Sequence, residues 1–351
     1  MSKAVNTGNG YPSGMKNRII NGGMDISQRG TSFAAVVNGT YTLDRWSYAQ
    51  SNDASITITQ NSDVPSNNEF QNSLRVTVNT ADASIASGQY GFLQQTIEGY
   101  NIRDLIGRTF TVSFWARSTK TGIHCATVKN SSLDRCYVAE YTINTTNTWE
   151  YKTITVSGGL PTAGTWNYTN VAGLLVNFTL AAGSTLQGSV GWNTTSVIAT
   201  SNQVNCLDSS AGPNIFAITG VQLELGPVAT PFEHRPFGAE LALCQRYFQK
   251  SYHIIDAPGT VIGSALRYQA SGTAGESAPC VVYPVTMRTT PIYVIYSDVT
   301  GASGQKRNYT ASADTAMTGF NINTSNGHAG SNTGHTAGSI YGYHYTVSAE
   351  L

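Results

Sequence analysis

Apolar and polar residues alternate with a period of two along several short segments of the chain. The segments are residues 55–59, 74–78, 109–116, 149–156, 174–180 and 215–225. Because successive side chains of a strand point to opposite faces, this period predicts half-buried strands. Clusters of Gly, Asn, Ser and Pro separate the segments. Short strands separated by turn signals favour a β-sandwich or barrel over an α/β fold.

One segment has helical periodicity. Leu241, Cys244 and Phe248 occupy positions i, i+3 and i+7 of residues 240–248, which places them on one face of a helix. Further strand signals follow at residues 254–255, 260–262, 280–283, 292–296 and 341–347. We therefore predict an all-β protein of two tandem β-sandwich domains with one short helix between them. The predicted divisions are an N-terminal attachment segment (1–16), a first sandwich (17–238) and a second sandwich (239–351).

Residues 326–339 are rich in Gly and nearly free of charge. A segment of this composition cannot bury a core by itself, so we predict a long loop. His328 and His335 would lie in it, either at a tip that contacts a receptor or in a solvated connection. A metal ion bridged by these histidines at an oligomer axis is disfavoured, because no His-x-His spacing occurs.

The charge balance argues against a nucleic-acid partner. Lys and Arg total 20, Asp and Glu total 20, and charged residues make up only 11% of the chain, against about 25% in average soluble proteins. Phosphate backbones are bound through clustered positive charge, and no basic run is present. The abundant uncharged polar residues suit loops, sheet edges, sugar-facing surfaces and oligomer interfaces, since they are buried at lower cost than ions.

Targeting and cysteine patterns point to folding in a reducing cytoplasm. No apolar run of about 18 residues predicts a membrane-inserted helix, and residues 1–21 lack the apolar centre of a secretory signal. An odd number of widely spaced cysteines predicts buried thiols, with a Cys125–Cys136 bridge as the less favoured alternative. The cysteines are Cys125, Cys136, Cys206, Cys244 and Cys280. Without a CxxC pair we expect no zinc, and nothing indicates another metal or cofactor.

No catalytic residues are expected. The sequence contains no GxSxG, P-loop or HExxH motif and no GxGxxG in a strand–helix context. Enzymes that cleave glycans need paired carboxylates, whereas the Asp residues here lie mostly in apparent loops, where turns and caps are their usual use. We interpret Glu233, His234 and Arg235 as a polar pin for the chain end. A glycan depolymerase is the least favoured of three functional hypotheses.

Several longer phrases together resemble a known family. They include NRIINGGM (17–24), LDRW (43–46), FTVSFWAR (110–117), GVQLELG (220–226) and ATPFEHR (229–235), with ELALCQRY (240–247) after them. The set resembles the carbohydrate-binding-module-like jelly roll of bacteriophage tail-fibre and other virion surface proteins, over about residues 17–291. The resemblance implies that the first domain is a jelly roll of this type. It also implies a role in the virion and a homotrimer.

Two functional hypotheses follow from the resemblance. The favoured one is a tail fibre or receptor-binding component that contacts host-surface glycans. It would be made in the host cytoplasm, assembled into the virion, and joined to other virion proteins through residues 1–16. Three-fold assembly would raise the avidity of weak sugar sites. The alternative is a capsid decoration protein or head fibre with a structural role.

Four residues are candidates for a sugar site: Trp166, Tyr168, Trp192 and Asn193. They lie in segments rich in Gly, Thr and Asn, where an aromatic ring can stack on a sugar and an amide can bond its hydroxyls. The alternative is that these rings plug loops onto the sandwich or lie in an oligomer interface.

The other three tryptophans receive different interpretations. Trp46 and Trp149 are interpreted as buried anchors of the sandwich. Trp115 shares the polar face of its strand, opposite Val112 and Phe114.

Overall fold

The computed structural model describes residues 15–66, 69–208, 214–271, 277–330 and 335–351. In these ranges the protein is all-β, with one α-helix and three short 3-10 helices. The strands preceding the α-helix are β1 Ser32–Ala34, β2 Thr40–Tyr41, β3 Trp46–Ser51, β4 Ser55–Asn61, β5 Ser73–Thr80, β6 Tyr90–Glu98, β7 Phe110–Ser118, β8 Gly122–Asn130, β9 Cys136–Ile143, β10 Glu150–Val156, β11 Ala172–Ala182, β12 Gly191–Asn193 and β13 Ile215–Leu225. The 3-10 helices are Gly99–Asn101, Arg103–Leu105 and Ser184–Leu186.

Helix α1, Phe237–Gln245, separates these strands from a second set. The second set comprises β14 Phe248–Lys250, β15 Leu266–Gln269, β16 Ser277–Val282, β17 Ile292–Tyr296, β18 Gln305–Asn308, β19 Ala313–Ala316, β20 Thr318–Phe320, β21 Asn326–Gly330 and β22 Ile340–Ser348.

Two antiparallel sheets form the first sandwich. The first sheet has the order β1-β4-β5-β13-β7-β10, and the second sheet has the order β12-β9-β8-β11-β6-β3-β2. Alternate residues of each strand enclose a shared core. Phe114 of the first sheet meets Phe178 of the second at 4.8 Å between ring centroids, and Trp46 lies 6.1 Å from Phe178. The expected burial of Trp46 is confirmed, since it is 0% exposed.

We call the strands before α1 the first domain and those after it the second domain, and the second set of strands is organised around β22. A six-stranded sheet has the order β14-β22-β18-β19, and β15 and β17 also pair with β22; a three-stranded sheet has the order β16-β21-β20. Tyr293, Tyr345 and Val347 belong to its buried cluster. The predicted all-β fold with sandwiches and one short helix is therefore confirmed. Neither α1 nor the 3-10 helices in the described ranges could span a membrane.

The alternating segments of the first domain were placed correctly, because all six coincide with β4, β5, β7, β10, β11 and β13 to within two residues at their starts. The helix is present, but it ends at Gln245, and Phe248 instead begins β14. The predicted strands at 254–255 and 260–262 do not form. The predicted domain boundary at 238/239 falls inside α1 and stays a prediction, and residues 1–14 of the predicted attachment segment lie outside the described ranges.

Three further sequence expectations need correction. Residues 326–330 form strand β21 rather than the start of a loop, since they pair with β16 and β20. All five cysteines are free, but Cys280 is exposed instead of buried. The alternative Cys125–Cys136 bridge does not form, because the β8–β9 register pairs Cys125 with Glu140 and Cys136 with Lys129.

Candidate functional site

Trp166 does not offer its ring to solvent. It is 8% exposed and belongs to the main core cluster, and its Nε1 donates to the carbonyl oxygen of Ala163 at 3.2 Å. Its ring packs edge-on against Trp192 with centroids 6.3 Å apart. The interpretation of Trp166 as an exposed sugar platform is therefore wrong, and the alternative, a ring that plugs a loop onto the sandwich, describes what is seen.

Trp192 and Asn193 lie in the edge strand β12 rather than in a loop. The Asn193 amide nitrogen donates to the carbonyl oxygens of Ser189 and Gly191 at 2.8 and 2.9 Å, and its Oδ1 accepts from the Ser189 amide at 3.2 Å. The Asn193 amide group is therefore occupied by hydrogen bonds within its own turn, residues 189–193. Trp192 is half-buried against Tyr137, and Tyr168 is 39% exposed.

The two candidate tip histidines lie in different settings. His328 is half-buried in β21, where it pairs with Cys280 and Phe320. His335 is 5% exposed, and its Nε2 lies 2.8 Å from Tyr268 Oη and 2.7 Å from Lys306 Nζ. Because its ring is enclosed, the receptor-tip hypothesis fails for His335. Across the described ranges, no cluster of three or more His, Cys, Asp or Glu side chains could hold a metal ion.

A different aromatic pair lies on the outer face of the first sheet. Trp115 of β7 and Tyr151 of β10 are directly paired in register, with ring centroids 5.4 Å apart. Phe114, the neighbour of Trp115, is in the core, so the pleat directs Trp115 outward. Tyr151 is 46% exposed and Trp115 is half-buried. The pair thus presents aromatic surface to solvent on a rigid sheet.

A cavity of about 440 Å³ lies over this pair. Its floor is formed by Ser113, Trp115, Tyr151 and Gly220, and one wall is the segment 229–232. Glu69 and Phe70 also line the cavity, and the Phe70 ring lies 5.1 Å from the Phe232 ring. We call this cavity the Trp115 groove. Its volume falls within the range of about 300–1,000 Å³ that is usual for small-molecule sites.

Buried polar groups of β13 hold the 229–232 wall in place. Glu224, 2% exposed, accepts from the Thr230 backbone amide at 2.8 Å and from the Thr230 hydroxyl at 2.6 Å. Gln222, 0% exposed, accepts from the Glu233 amide at 2.9 Å. Because buried polar groups must find partners, this pairing fixes the segment against the sheet.

Gly220 shapes the floor of the groove. Its φ is +60°, and the pairing of β13 with β7 shifts register between Thr219 and Gln222. A Cβ at this position would lie 2.5 Å from Cζ of Phe70. Two features of the bulge therefore require glycine. One is the left-handed backbone, and the other is the close approach of the Phe70 ring.

A second cavity of about 340 Å³ continues from the Trp115 groove and shares Glu69 and Phe232 with it. His234 contributes a partly exposed ring here, 5.0 Å from the Phe232 ring, and its Nε2 lies 3.5 Å from Glu69 Oε1. Between them, the two cavities are lined by aromatic rings, carboxylate groups and an imidazole.

The Glu233–Arg235 segment pins residues 16–19, as the sequence indicated. Glu233 accepts from the backbone amides of Lys16 and Asn17 at 3.0 and 2.9 Å, and Arg235 bonds Glu233 and Glu240. Burial raises the pKa of Glu233, but these amide hydrogen bonds and Arg235 outweigh it, so the net pKa is lowered. The carboxylate is therefore held ionised and fully engaged.

The sequence contained part of the signal for this groove. Alternation places Trp115 and Tyr151 on the polar faces of their strands. Sequence reasoning nevertheless did not select Tyr151, Phe70 or Phe232, because the β7–β10 register and the return of segment 229–232 across the sheet are long-range features.

No family model matches the sequence, and no curated protein matches it. Among solved structures, the chain is similar to the enzymatically active domain of tailspike protein 4 of bacteriophage CBA120. That match has 18% identity and a TM-score of 0.32, and covers 60% of this chain and 22% of that one. This chain thus spans about a fifth of the length of the tailspike chain that it matches.

Carbohydrate-binding modules are also similar in structure. A family 61 module in complex with β-1,4-galactotriose matches at 11% identity and a TM-score of 0.31, over 60% of this chain and all of that one. A family 11 module from Clostridium thermocellum matches at 12% identity and a TM-score of 0.31, over 58% of this chain and 98% of that one. The likeness is structural, to carbohydrate-binding modules and to part of a phage tailspike protein.

Proposed function

We propose that this chain is a sugar-binding component of a bacteriophage virion, without catalytic turnover, and that the Trp115 groove holds a host-surface glycan. The observation that carries the proposal is the outward-facing Trp115–Tyr151 pair on the floor of a cavity of about 440 Å³. The virion role, a homotrimer and attachment through residues 1–16 are proposed from the set of motifs between residues 17 and 291.

The chemistry of the groove suits a largely neutral sugar. Aromatic faces attract the C–H surface of a pyranose ring, and polar groups at the edge bind its hydroxyls. Ser113 on the floor and Glu69 on the wall supply oxygen atoms beside the aromatic pair. The β7–β10 pairing holds both rings in place before a ligand arrives, which lowers the entropic cost of binding.

The absence of turnover is proposed from how the nearby carboxylates are used. Glycoside hydrolysis needs a protonated carboxyl group and a second carboxylate on opposite sides of the scissile bond. Among the described residues, Glu69 is the one carboxylate in the lining of the Trp115 groove. Of the carboxylates nearby, Glu233 and Glu240 are both held by Arg235, and Glu224 is engaged by Thr230. Carboxylates committed to structural hydrogen bonds are poor candidates for proton transfer.

The test is to replace Trp115 and Tyr151 by Ala, singly and together, and to measure binding of the purified protein to host cells and to a panel of neutral oligosaccharides. Removing a stacking ring should weaken binding about tenfold or more. Tyr100→Ala is the matched control, since Tyr100 is 62% exposed and lies in the 3-10 helix Gly99–Asn101.

Circular dichroism would establish that each variant is folded. Unchanged host binding by the folded double variant would refute the Trp115 groove as the receptor site. Release of reducing ends from host polysaccharide by the wild-type protein would refute the proposal that it has no turnover.

A further inference from the structure

The outer face of the second sheet contains a buried lysine that, within the described ranges, has no carboxylate partner and faces the thiol of Cys136 across the strand pair. Lys129 of β8 is only 4% exposed. Within the described ranges its Nζ makes no ion pair and no hydrogen bond, and it lies 4.8 Å from the centroid of the Phe92 ring. Burial lowers the pKa of Lys129. The contact with an aromatic face offsets only part of the cost of burying an ammonium group.

A second unsatisfied polar atom lies on the same face. Asn177 of β11 is 0% exposed, and its Oδ1 has no hydrogen-bond partner, while its Nδ2 donates to Thr127 Oγ1 at 3.1 Å. The strand registers place Asn177 between Thr127 of β8 and Gln94 of β6. A cationic donor and an amide oxygen without a hydrogen-bond partner thus lie on neighbouring strands of one face, with the amide oxygen beneath the surface.

Aromatic surface completes this region. Tyr90 and Phe92 of β6 stack at 5.5 Å between centroids. Tyr90, Gln94 and Leu175 are half-buried, so solvent reaches the face beside the buried lysine. Natural folds seldom bury an unpaired charge for stability, since an apolar residue of similar volume usually serves the fold as well or better.

We propose that this face, which we call the Lys129 face, is a second glycan site that binds a sugar bearing a carboxylate, such as a uronic acid. The carboxylate accepts from Lys129 Nζ, and the sugar ring packs beside Tyr90 and Phe92. The ligand thereby supplies the anion that Lys129 lacks. The proposal is independent of the Trp115 groove, which lies on the outer face of the other sheet.

The experiment compares galacturonic and glucuronic acid oligosaccharides with their methyl esters, which keep the ring and lose the charge. Binding is measured by calorimetry and by NMR titration of backbone amides. We expect the acids to bind about 10- to 100-fold more tightly than the esters, as for a hydrogen bond to a charged group. Amide shifts should concentrate in β6, β8 and β11.

Lys129→Met tests the lysine itself. We expect this variant to lose the preference for the acid and to remain at least as resistant to urea as the wild type. Lys152→Met is the control, because Lys152 lies on the first sheet and pairs with Glu150 at 2.7 Å. Trp115→Ala should still bind the acid, which separates this site from the Trp115 groove.

Equal affinity of wild-type protein for acid and ester, or no binding of either, would overturn the proposal. So would a Lys129→Met variant that is strongly destabilised, because Lys129 would then serve the fold. The wild-type comparison of acid and ester needs no variant and stays decisive if Lys129→Met does not fold.

Discussion

The same residue type serves different purposes in this protein according to the face of the strand on which it lies. Trp46 points into the sandwich, where its Nε1 donates to the carbonyl oxygen of Asn21 at 3.1 Å. Trp115 points outward on β7 and lines the Trp115 groove. Trp149 is half-buried, and its Nε1 donates to Asp63 at 3.2 Å, so its interpretation as a buried anchor holds only in part.

Trp166→Ala should destabilise the protein rather than abolish sugar binding. Removing a ring that is 92% enclosed leaves a cavity in the core, and such truncations cost about 3–5 kcal/mol. Urea unfolding followed by circular dichroism measures the effect. Tyr168→Ala is the control, since Tyr168 is 39% exposed and surface changes usually stay within about 0.5 kcal/mol. Equal stability of the two variants would show that the Trp166 ring is not a core residue.

Lys306 should make stability depend on pH. It is 0% exposed in β18, its Nζ lies 2.7 Å from His335 Nε2, and burial lowers its pKa to about 8. Between that value and the unfolded value near 10.5, the unfolded chain binds more protons than the folded one, so this group makes stability rise with pH.

The measurement is the free energy of unfolding of wild type and of Lys306→Met between pH 7 and 10. The wild-type value should increase relative to the variant as the pH passes from 8 to 10, by up to about 1.4 kcal/mol per pH unit. Taking the difference between the two proteins removes the contributions of the buried tyrosines. A difference that stays constant with pH would mean that Lys306 is charged in the folded state throughout this range.

At the scale of elements, the sequence analysis missed β8 and β9, which have apolar neighbours on both faces. β8 and β9 carry core residues on one side, and on the other they hold a separate cluster that includes Cys125, Cys136 and Val138. When both faces are covered, the period-two pattern disappears from the sequence. These strands therefore could not be predicted from alternation.

Strand β21 was missed for a different reason. Gly327 lies beneath two rings, and a Cβ there would be 2.5 Å from Tyr283 Oη and 3.2 Å from atoms of Tyr293. The glycine-rich composition that suggested a loop is what lets the rings approach the strand. Only part of the Trp115 groove could be predicted in the same way. Alternation predicts that Trp115 lies on the polar face of β7, but its pairing with Tyr151 depends on the register between two strands.

Removing the hydrogen bonds that hold the groove wall should weaken the site without touching the aromatic pair. In Glu224→Ala, the Thr230 amide and hydroxyl lose their acceptors, which costs about 1–3 kcal/mol. Hydrogen exchange in segment 229–233 should become faster, and sugar affinity should fall. Thr155→Ala is a control on the same sheet, since its hydroxyl bonds Pro227 and lies outside the lining of the groove. Unchanged exchange in Glu224→Ala would show that the wall is held by other contacts.

At the scale of the whole molecule, the two domains share buried charges. Glu350, next to the last residue of the described chain, pairs with Arg45 and Arg29 of the first domain. Arg45 is 1% exposed and lies 3.5 Å from the Tyr247 ring centroid. Glu98 of β6 accepts from Arg246 and from Tyr247 Oη at 2.8 Å. These ion pairs join one domain to the other. Separating the two domains would leave unpaired charges on both, so the pairs couple the folding of the domains.

Glu350→Gln should therefore destabilise both domains together. It leaves the Arg45 guanidinium buried without a carboxylate, and breaking a buried pair in this way typically costs about 3–5 kcal/mol. Asp104→Asn is the control, because the Arg18–Asp104 pair lies within the first domain with side chains 25% and 21% exposed and should contribute about 0–1 kcal/mol.

Tryptophan fluorescence reports the first domain, which contains all five tryptophans, and the near-ultraviolet circular dichroism of the tyrosine-rich second domain reports the other. If wild type unfolds in one transition by both probes and Glu350→Gln unfolds in two, the ionic contacts couple the domains. If the variant keeps a single transition at the wild-type urea midpoint, the coupling must reside in the apolar contacts instead.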